Sequence, residues 1–151
     1  MYVVSMTDFD STSGYLTEGV HRMTLGEFMR AFAWNARRRF LYAGLARAIA
    51  ALQAAGCRTI LIDGSFVTAK ESPGDWDAAF DPVGVDASRL DPILIKHDDG
   101  RRAMRAKYLG DLFPWSAVAT GVPGPIYRDF FQQDRDGHRK GIVEIQLQVI
   151  Q

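Results

Sequence analysis

The chain has one cysteine, Cys57, so no disulfide can close within it, and nothing in the sequence suggests a zinc site. Cys57 stands at the start of an apolar run and reads as a small buried hydrophobe. An excess of charge is also missing. The 18 Lys and Arg residues balance 18 Asp and Glu, which argues against a generic nucleic-acid coat while leaving local basic clusters open. No apolar run reaches the ~18–20 residues that span a bilayer, so no membrane partner is expected. The first ten residues include Asp8 and Asp10 and no basic leader, unlike a signal peptide, and a reducing cytoplasm is the expected location. Repeats, low-complexity tracts and a linker are absent too. What remains is 151 residues, 47% apolar and 24% charged, enough for one domain over 1–151 with a real core.

Local signals then place elements along the chain. Tyr2 to Met6 allows a short strand, and Asp10-Ser11-Thr12-Ser13-Gly14 reads as a turn. Thr24-Leu25-Gly26-Glu27 has the capping-box pattern and predicts a helix from about 25 to 33, with Leu25, Phe28, Met29 and Phe32 inward. Asn35 is a good N-cap for a second helix over about 36–55, in which Leu41, Leu45, Ala48, Ile49 and Leu52 recur at helical spacing before Gly56. Arg37, Arg38 and Arg39 fall in its first turn, where the helix dipole disfavours cations; they read as a solvated face or as partners of an anion. Arg58 to Asp63 is β-branched and nearly all apolar, the pattern of an interior strand.

One helical turn is expected in Phe66–Glu71, a break at Ser72-Pro73-Gly74, and a second strand over Trp76–Phe80. Residues 86–99 are ambiguous, with Pro92 requiring Asp91 to be extended or an N-cap. Arg101–Leu109 reads as a helix closed by Gly110, Phe113–Pro125 as a long loop, Ile126–Gln133 as a short helix, and Asp136-Gly137 as a turn. From Gly141 the pattern alternates, with Val143, Ile145, Leu147 and Val149 on one face and Ile142, Glu144, Gln146 and Gln148 on the other. The expected fold is a single α/β (α+β) domain, a short mixed sheet with helices mainly on one face.

The chemistry concentrates in Ile60-Leu61-Ile62-Asp63-Gly64-Ser65 and Asp75-Trp76-Asp77. An apolar strand ends in a Gly-Ser corner, and two carboxylates follow at a spacing of two. On a strand that spacing sends both to one face, where they repel unless a cation joins them. A hard cation such as Mg²⁺ suits a few carboxylate oxygens and leaves room for substrate phosphates. Gly64 lets backbone approach a phosphate closely, Ser65 offers its hydroxyl, and Lys70 lies between corner and acids as a point cation. His97-Asp98-Asp99 reads as a polar turn rather than a metal site, and His21 and His138 as surface residues. Arg101, Arg102, Arg105 and Lys107 read as a solvated helix face, with a nucleotide or RNA groove as the alternative. Trp34, Trp115, Tyr108, Phe130 and Phe131 read as core rather than as stacking platforms.

This corner-gap-acid pattern resembles the signature of the nucleotidyltransferase superfamily that includes polymerase-β-like enzymes. More widely, Asn35–Arg39, Gly64–Lys70, Lys107-Tyr108, and Phe130-Phe131-Gln132 with Asp134-Arg135-Asp136-Gly137 resemble a family of small bacterial proteins with nucleotidyltransferase-like cores. The resemblance implies a nucleotidyltransferase-like sheet and Mg²⁺-dependent nucleotidyl transfer from an NTP, ATP foremost, to a protein or RNA acceptor. Minimal enzymes of this type work within toxin–antitoxin or phage-defence pairs, so the implied partners are a nucleotide, a cognate protein or RNA end, and a second copy of the chain. It implies Asp75 and Asp77 as catalytic metal ligands holding one or two Mg²⁺, and Gly64, Ser65 and Lys70 as phosphate contacts. The third carboxylate is expected on the last strand, at Glu144. Gln146 at that place would leave the site incomplete, and the alternative is then a non-catalytic module binding a nucleotide or partner protein, as an antitoxin does.

Overall fold

The computed structural model describes residues 9–95, 101–115 and 140–148. The expected Tyr2–Met6 strand, the Ile126–Gln133 helix, the Asp136-Gly137 turn, His97-Asp98-Asp99 and most of the Phe113–Pro125 loop lie outside these residues. The described chain runs β1 (Gly19–Met23), α1 (Leu25–Phe32), α2 (Ala36–Ala54), β2 (Thr59–Asp63), β3 (Trp76–Phe80), α3 (Arg102–Tyr108), β4 (Gly110–Pro114) and β5 (Gly141–Gln146).

Capping chemistry fixes the first two helices. Thr24 Oγ1 accepts from the Glu27 amide at 3.1 Å and Glu27 Oε1 accepts from the Thr24 amide at 2.9 Å, so the capping box is complete. Asn35 Oδ1 accepts from the Arg38 amide at 2.8 Å and opens α2. Gly56, at φ 99°, follows the end of α2 in the left-handed region that glycine tolerates. Phe28 and Phe32 of α1 are fully buried, whereas Met29, expected inward, is 42% exposed. The stripe on this two-turn helix is narrower than the sequence suggests.

The five strands form one mixed sheet in the order β1-β5-β2-β3-β4. β1 is parallel to β5 and β3 to β4, while β2 is antiparallel to both its neighbours. The chain is α+β, with a mixed sheet as expected. Strand alternation divides the sheet's apolar residues between two faces. Ile60, Ile62, Ala78, Leu112, Val143 and Ile145 pack against α1, α2 and α3 through Phe28, Phe32, Leu45, Leu52 and Met104. The opposite face carries a thinner apolar cluster, Leu61, Ala79 and Ile142 beside Val20, Phe113 and Trp115, with no helical residue in it among the described residues.

Two of the boundaries that differ from the sequence reading involve β4. Arg101–Tyr108 is helical in outline, but the helix closes at Leu109, which takes a left-handed conformation at φ 68°. Gly110 does not terminate it. Gly110 is the first residue of β4, and a Cβ there would run into the Trp76 ring across the β3–β4 pair. The expected loop from Phe113 therefore begins as strand. Trp76, fully buried, donates its Nε1–H to the Tyr108 carbonyl at 2.7 Å, and a Cβ on Gly44 of α2 would strike the same carbonyl. Trp76 and two glycines thus set the close approach of α2, α3 and β4, which decides where β4 delivers its side chains. His21, read as a surface residue, is buried on β1 with Nε2 2.6 Å from the Thr17 carbonyl.

Candidate metal centre and adjoining cleft

Register places three aspartates in a row. Asp63 of β2 stands opposite Asp77 of β3, and Asp77 opposite Asp111 of β4. All three lie on the face away from the helices, since each is two residues from a member of the thin cluster: Leu61, Ala79 or Phe113. Asp75, just before β3, joins from the same side. One ligand oxygen from each of Asp75, Asp77 and Asp111 lies within 4.8 Å of the others, a spacing that could hold a metal ion. Asp63 is level with the row but engaged elsewhere, its Oδ1 paired with Lys140 Nζ at 2.8 Å.

The third carboxylate of this group is Asp111 on β4, and Glu144 on β5, expected in that place, lies outside the group. The reason is strand direction. β5 is antiparallel to β2, so its later residues pair with earlier β2 residues: Glu144 with Leu61 and Gln146 with Thr59. Both polar side chains share the acidic face, but each step along β5 carries them further from Asp63 and Asp77. Glu144, 2% exposed, pairs with Arg22 of β1 at 2.7 Å. Gln146 Oε1 accepts from the Thr59 hydroxyl at 3.2 Å. Sequence reasoning missed Asp111 because it follows a glycine taken for a helix end. The available signal was the apolar pair Leu112-Phe113 after Gly110-Asp111, too short to count as a strand by itself.

Like charges this close are costly. At about 4.8 Å and an effective dielectric of about 20, each ionised pair costs roughly 3 kcal/mol. The protein answers the cost in two ways. Asp111 is gripped by arginines. Arg105 donates from Nε to Oδ1 at 2.9 Å and from Nη2 to Oδ2 at 2.8 Å, a bidentate fork, and Arg101 Nε adds a bond to Oδ1 at 3.2 Å. Asp77 answers through its proton affinity. Burial, then the charges of Asp75, Asp111 and Asp63, push its carboxyl up to about 7 against the pull of Lys140. Asp75 is raised as well, by burial first and then by Asp111, with Arg105, Lys70 and Arg37 opposing. Asp63 is raised by burial, offset by Lys140.

The Gly-Ser corner adjoins this row. Gly64 turns at φ 79°, and a Cβ there would collide with Asp77 Oδ2, so only glycine lets the corner lie against the acid. A single 3₁₀ turn, Ser65–Val67, replaces the helical turn expected in Phe66–Glu71. Beside it opens a cleft of about 580 Å³ lined by Gly64, Ser65, Thr68, Lys70, Lys140 and the Ser11–Tyr15 turn. Ser65 and Lys70, expected as phosphate contacts, thus share one cleft with Lys140. The turn expected over Asp10–Gly14 forms, and it docks on the corner loop, the Ala69 amide donating to the Gly14 carbonyl at 2.8 Å.

Arg38 shapes that loop from beneath. It is neither a solvated residue nor an anion's partner. Fully buried, it donates to the carbonyls of Phe32, Phe66, Thr68 and Lys70 at 2.6–3.1 Å, and its guanidinium lies 3.7 Å from the Trp34 ring centroid. Burial lowers its pKa to about 10, still protonated at neutral pH. Its rigid fork of five N–H donors suits such a set of carbonyls, and no lysine could reach them all. Arg37 holds the Asp75 side of the loop, bonding the Pro73 and Gly74 carbonyls at 3.0 and 2.8 Å. Lys107 and Tyr108 both donate to Asp91 Oδ2, at 2.5 and 2.7 Å. No described helix is long and apolar enough to cross a membrane.

No curated protein and no solved structure matches the chain. Residues 7–146 match the family model of DUF6932, described as a family of unknown function, and the chain belongs to that family.

Proposed function

We propose that this protein transfers a nucleotidyl group from an NTP, ATP foremost, to a protein or RNA acceptor, using a bound divalent cation. One observation carries the reading: Asp75, Asp77 and Asp111 converge within 4.8 Å on the sheet face that adjoins the Gly64-Ser65 corner. The donor set is all carboxylate oxygen, with no nitrogen or sulfur, which fits a hard cation such as Mg²⁺. Asp75, Asp77 and Asp111 would hold it, and when bound it supplies charge neutralisation at the phosphates and acidifies the attacking hydroxyl. The chain's own residues do the positioning. Gly64 keeps the corner clear beside Asp77, and Ser65 offers a hydroxyl to phosphate oxygen. Lys70 and Lys140 line the cleft as point cations, and Lys140 retains donors beyond the one aimed at Asp63. Phosphoryl-type transfer asks mainly for such positioning and charge balance. The cognate partner, in a toxin–antitoxin or phage-defence pair, belongs to the same proposal.

A second reading, a non-catalytic nucleotide- or partner-binding module, draws on the arginine grip on Asp111, which already satisfies that carboxylate. Labelled NTPs incubated with Mg²⁺ and total RNA or a candidate partner protein separate the two. Label transfer by the wild type that vanishes in Asp75→Ala, Asp77→Ala and Asp111→Ala supports the enzyme. Nucleotide binding that ignores Mg²⁺, with no transfer, supports the module. Mg²⁺-ATP should also raise the melting temperature of the wild type and not that of Asp77→Ala.

A further inference from the structure

The arginines on Asp111 bind the same carboxylate that a cation in this group would use. Arg105 spends both arms of its fork on Oδ1 and Oδ2, and Arg101 adds a third bond to Oδ1, so both carboxylate oxygens of Asp111 already carry N–H donors. Asp111 is 4% exposed, while the Arg105 side chain is half exposed. The acid is fixed in the sheet and the arginine reaches it from the rim. Asp75 and Asp77 have no comparable grip from any described residue. Within the group of Asp75, Asp77 and Asp111, arginine thus balances Asp111, while Asp75 and Asp77 feel only the longer-range pull of cations such as Lys70 and Lys140. Arg105 also lines a second, smaller groove of about 260 Å³ together with Arg37, Phe40 and Asp75, so a released fork has open space beside the acids to turn into.

We infer that Arg105, with Arg101 as a lesser partner, is a built-in counter-cation that a divalent metal ion must displace from Asp111, so that the site alternates between an arginine-closed and a metal-loaded state. This rests on the reading that Asp75, Asp77 and Asp111 hold a divalent cation. A cation and an arginine fork on one buried carboxylate repel each other, so a cation at Asp111 works against a bidentate, charge-assisted pair. Removing the arginine removes that opposition. Arg105 is a positioning residue in this scheme: it acts on the cation through Asp111.

Binding of Mn²⁺ alone, measured by titration calorimetry and by electron spin resonance of the free ion, tests it without reference to activity. Arg105→Gln should bind Mn²⁺ roughly tenfold more tightly than the wild type, since a hydrogen-bonded charge pair no longer opposes it. Arg101→Gln, which removes one bond of three, should shift affinity the same way by a smaller factor. Arg105→Gln leaves a buried acid without its partner, so its melting temperature in chelator should drop, and Mn²⁺ should raise it by more than it raises the wild type's. Equal Mn²⁺ affinity in wild type and both variants overturns the exchange while leaving the cation site standing. Weaker binding in Arg105→Gln overturns it too, by showing that the arginine supports the metal geometry. No Mn²⁺ binding to any of the three overturns both the exchange and the reading beneath it.

Discussion

Asp77 is the residue on which the site's electrostatics converge. Its carboxyl is pushed up to about 7 by burial and by three neighbouring acids, against ~3.9 for an unfolded aspartate. The folded chain thus holds a proton that the unfolded chain has already released between these values. Stability from this group is fully present below pH ~4 and is lost as pH rises through about 7. Asp77→Asn keeps the shape and discards the charge. In chelator, the variant should be more stable than the wild type at pH 8 by ~2–4 kcal/mol, and the gap should shrink steadily toward pH 4. Urea denaturation at a series of pH values measures it, and a gap that does not change with pH would sink the assignment. A companion contrast concerns the third carboxylate. Asp111→Asn should abolish the melting-temperature rise caused by Mn²⁺, whereas Glu144→Gln, which sits beside Leu61 and Arg22, should leave it intact. The reverse pattern would return the third ligand to β5.

At the scale of elements, the sequence and the structure part company where register decides. The Asp75-x-Asp77 spacing was legible because both acids belong to one short stretch, and a period of two is a local property. The capping box at Thr24, the Asn35 cap and the buried stripe of α2 were legible for the same reason. Asp111 was not, because its place beside Asp77 depends on the parallel pairing of β3 with β4. That pairing in turn depends on Gly110 clearing the Trp76 ring, a contact between residues far apart in the chain. Glu144 was expected in the third place through correct alternation, but strand direction, which alternation does not encode, sets it outside the group of Asp75, Asp77 and Asp111. Arg38 shows the same limit. A triple-arginine first turn looks solvated in sequence, yet its middle member is fully buried and bonded to four carbonyls.

Because the loop carrying Ser65 and Lys70 rests on those bonds, its shape should depend on the guanidinium fork. Arg38→Lys should cost ~2–4 kcal/mol of stability, since carbonyls of Phe66, Thr68 and Lys70 lose buried donors that one ammonium cannot replace. The melting-temperature rise with Mg²⁺-ATP should shrink with it. Thermal melting with and without Mg²⁺-ATP reads both effects, and a variant as stable as the wild type would remove Arg38 from its role as the loop's support.

Across the whole molecule, the acids are divided between the middle of the sheet and its rim. β2 is buried along its full length, between β5 and β3, while β4 is the outermost described strand on its side. α3 and β4 meet at Leu109, a non-glycine residue in the left-handed region, a conformation that costs energy and persists only under the surrounding packing. Local opening should therefore be easiest at α3–β4 and hardest at β2 and β5. A cation held by Asp75, Asp77 and Asp111 would tie that rim to the central strands, because one of its ligands comes from β4 and the others from the start of β3. Amide hydrogen exchange should show β4 and the Gly74–Trp76 segment exchanging faster than β2 in chelator. Mg²⁺ should slow exchange at these two places and leave β1, beyond β5 on the far side of the sheet, unchanged. If Mg²⁺ instead slowed β1 and β5, the ion would be bound near Glu144 and Arg22. If it slowed nothing, the aspartate row would have to be held by its arginines alone.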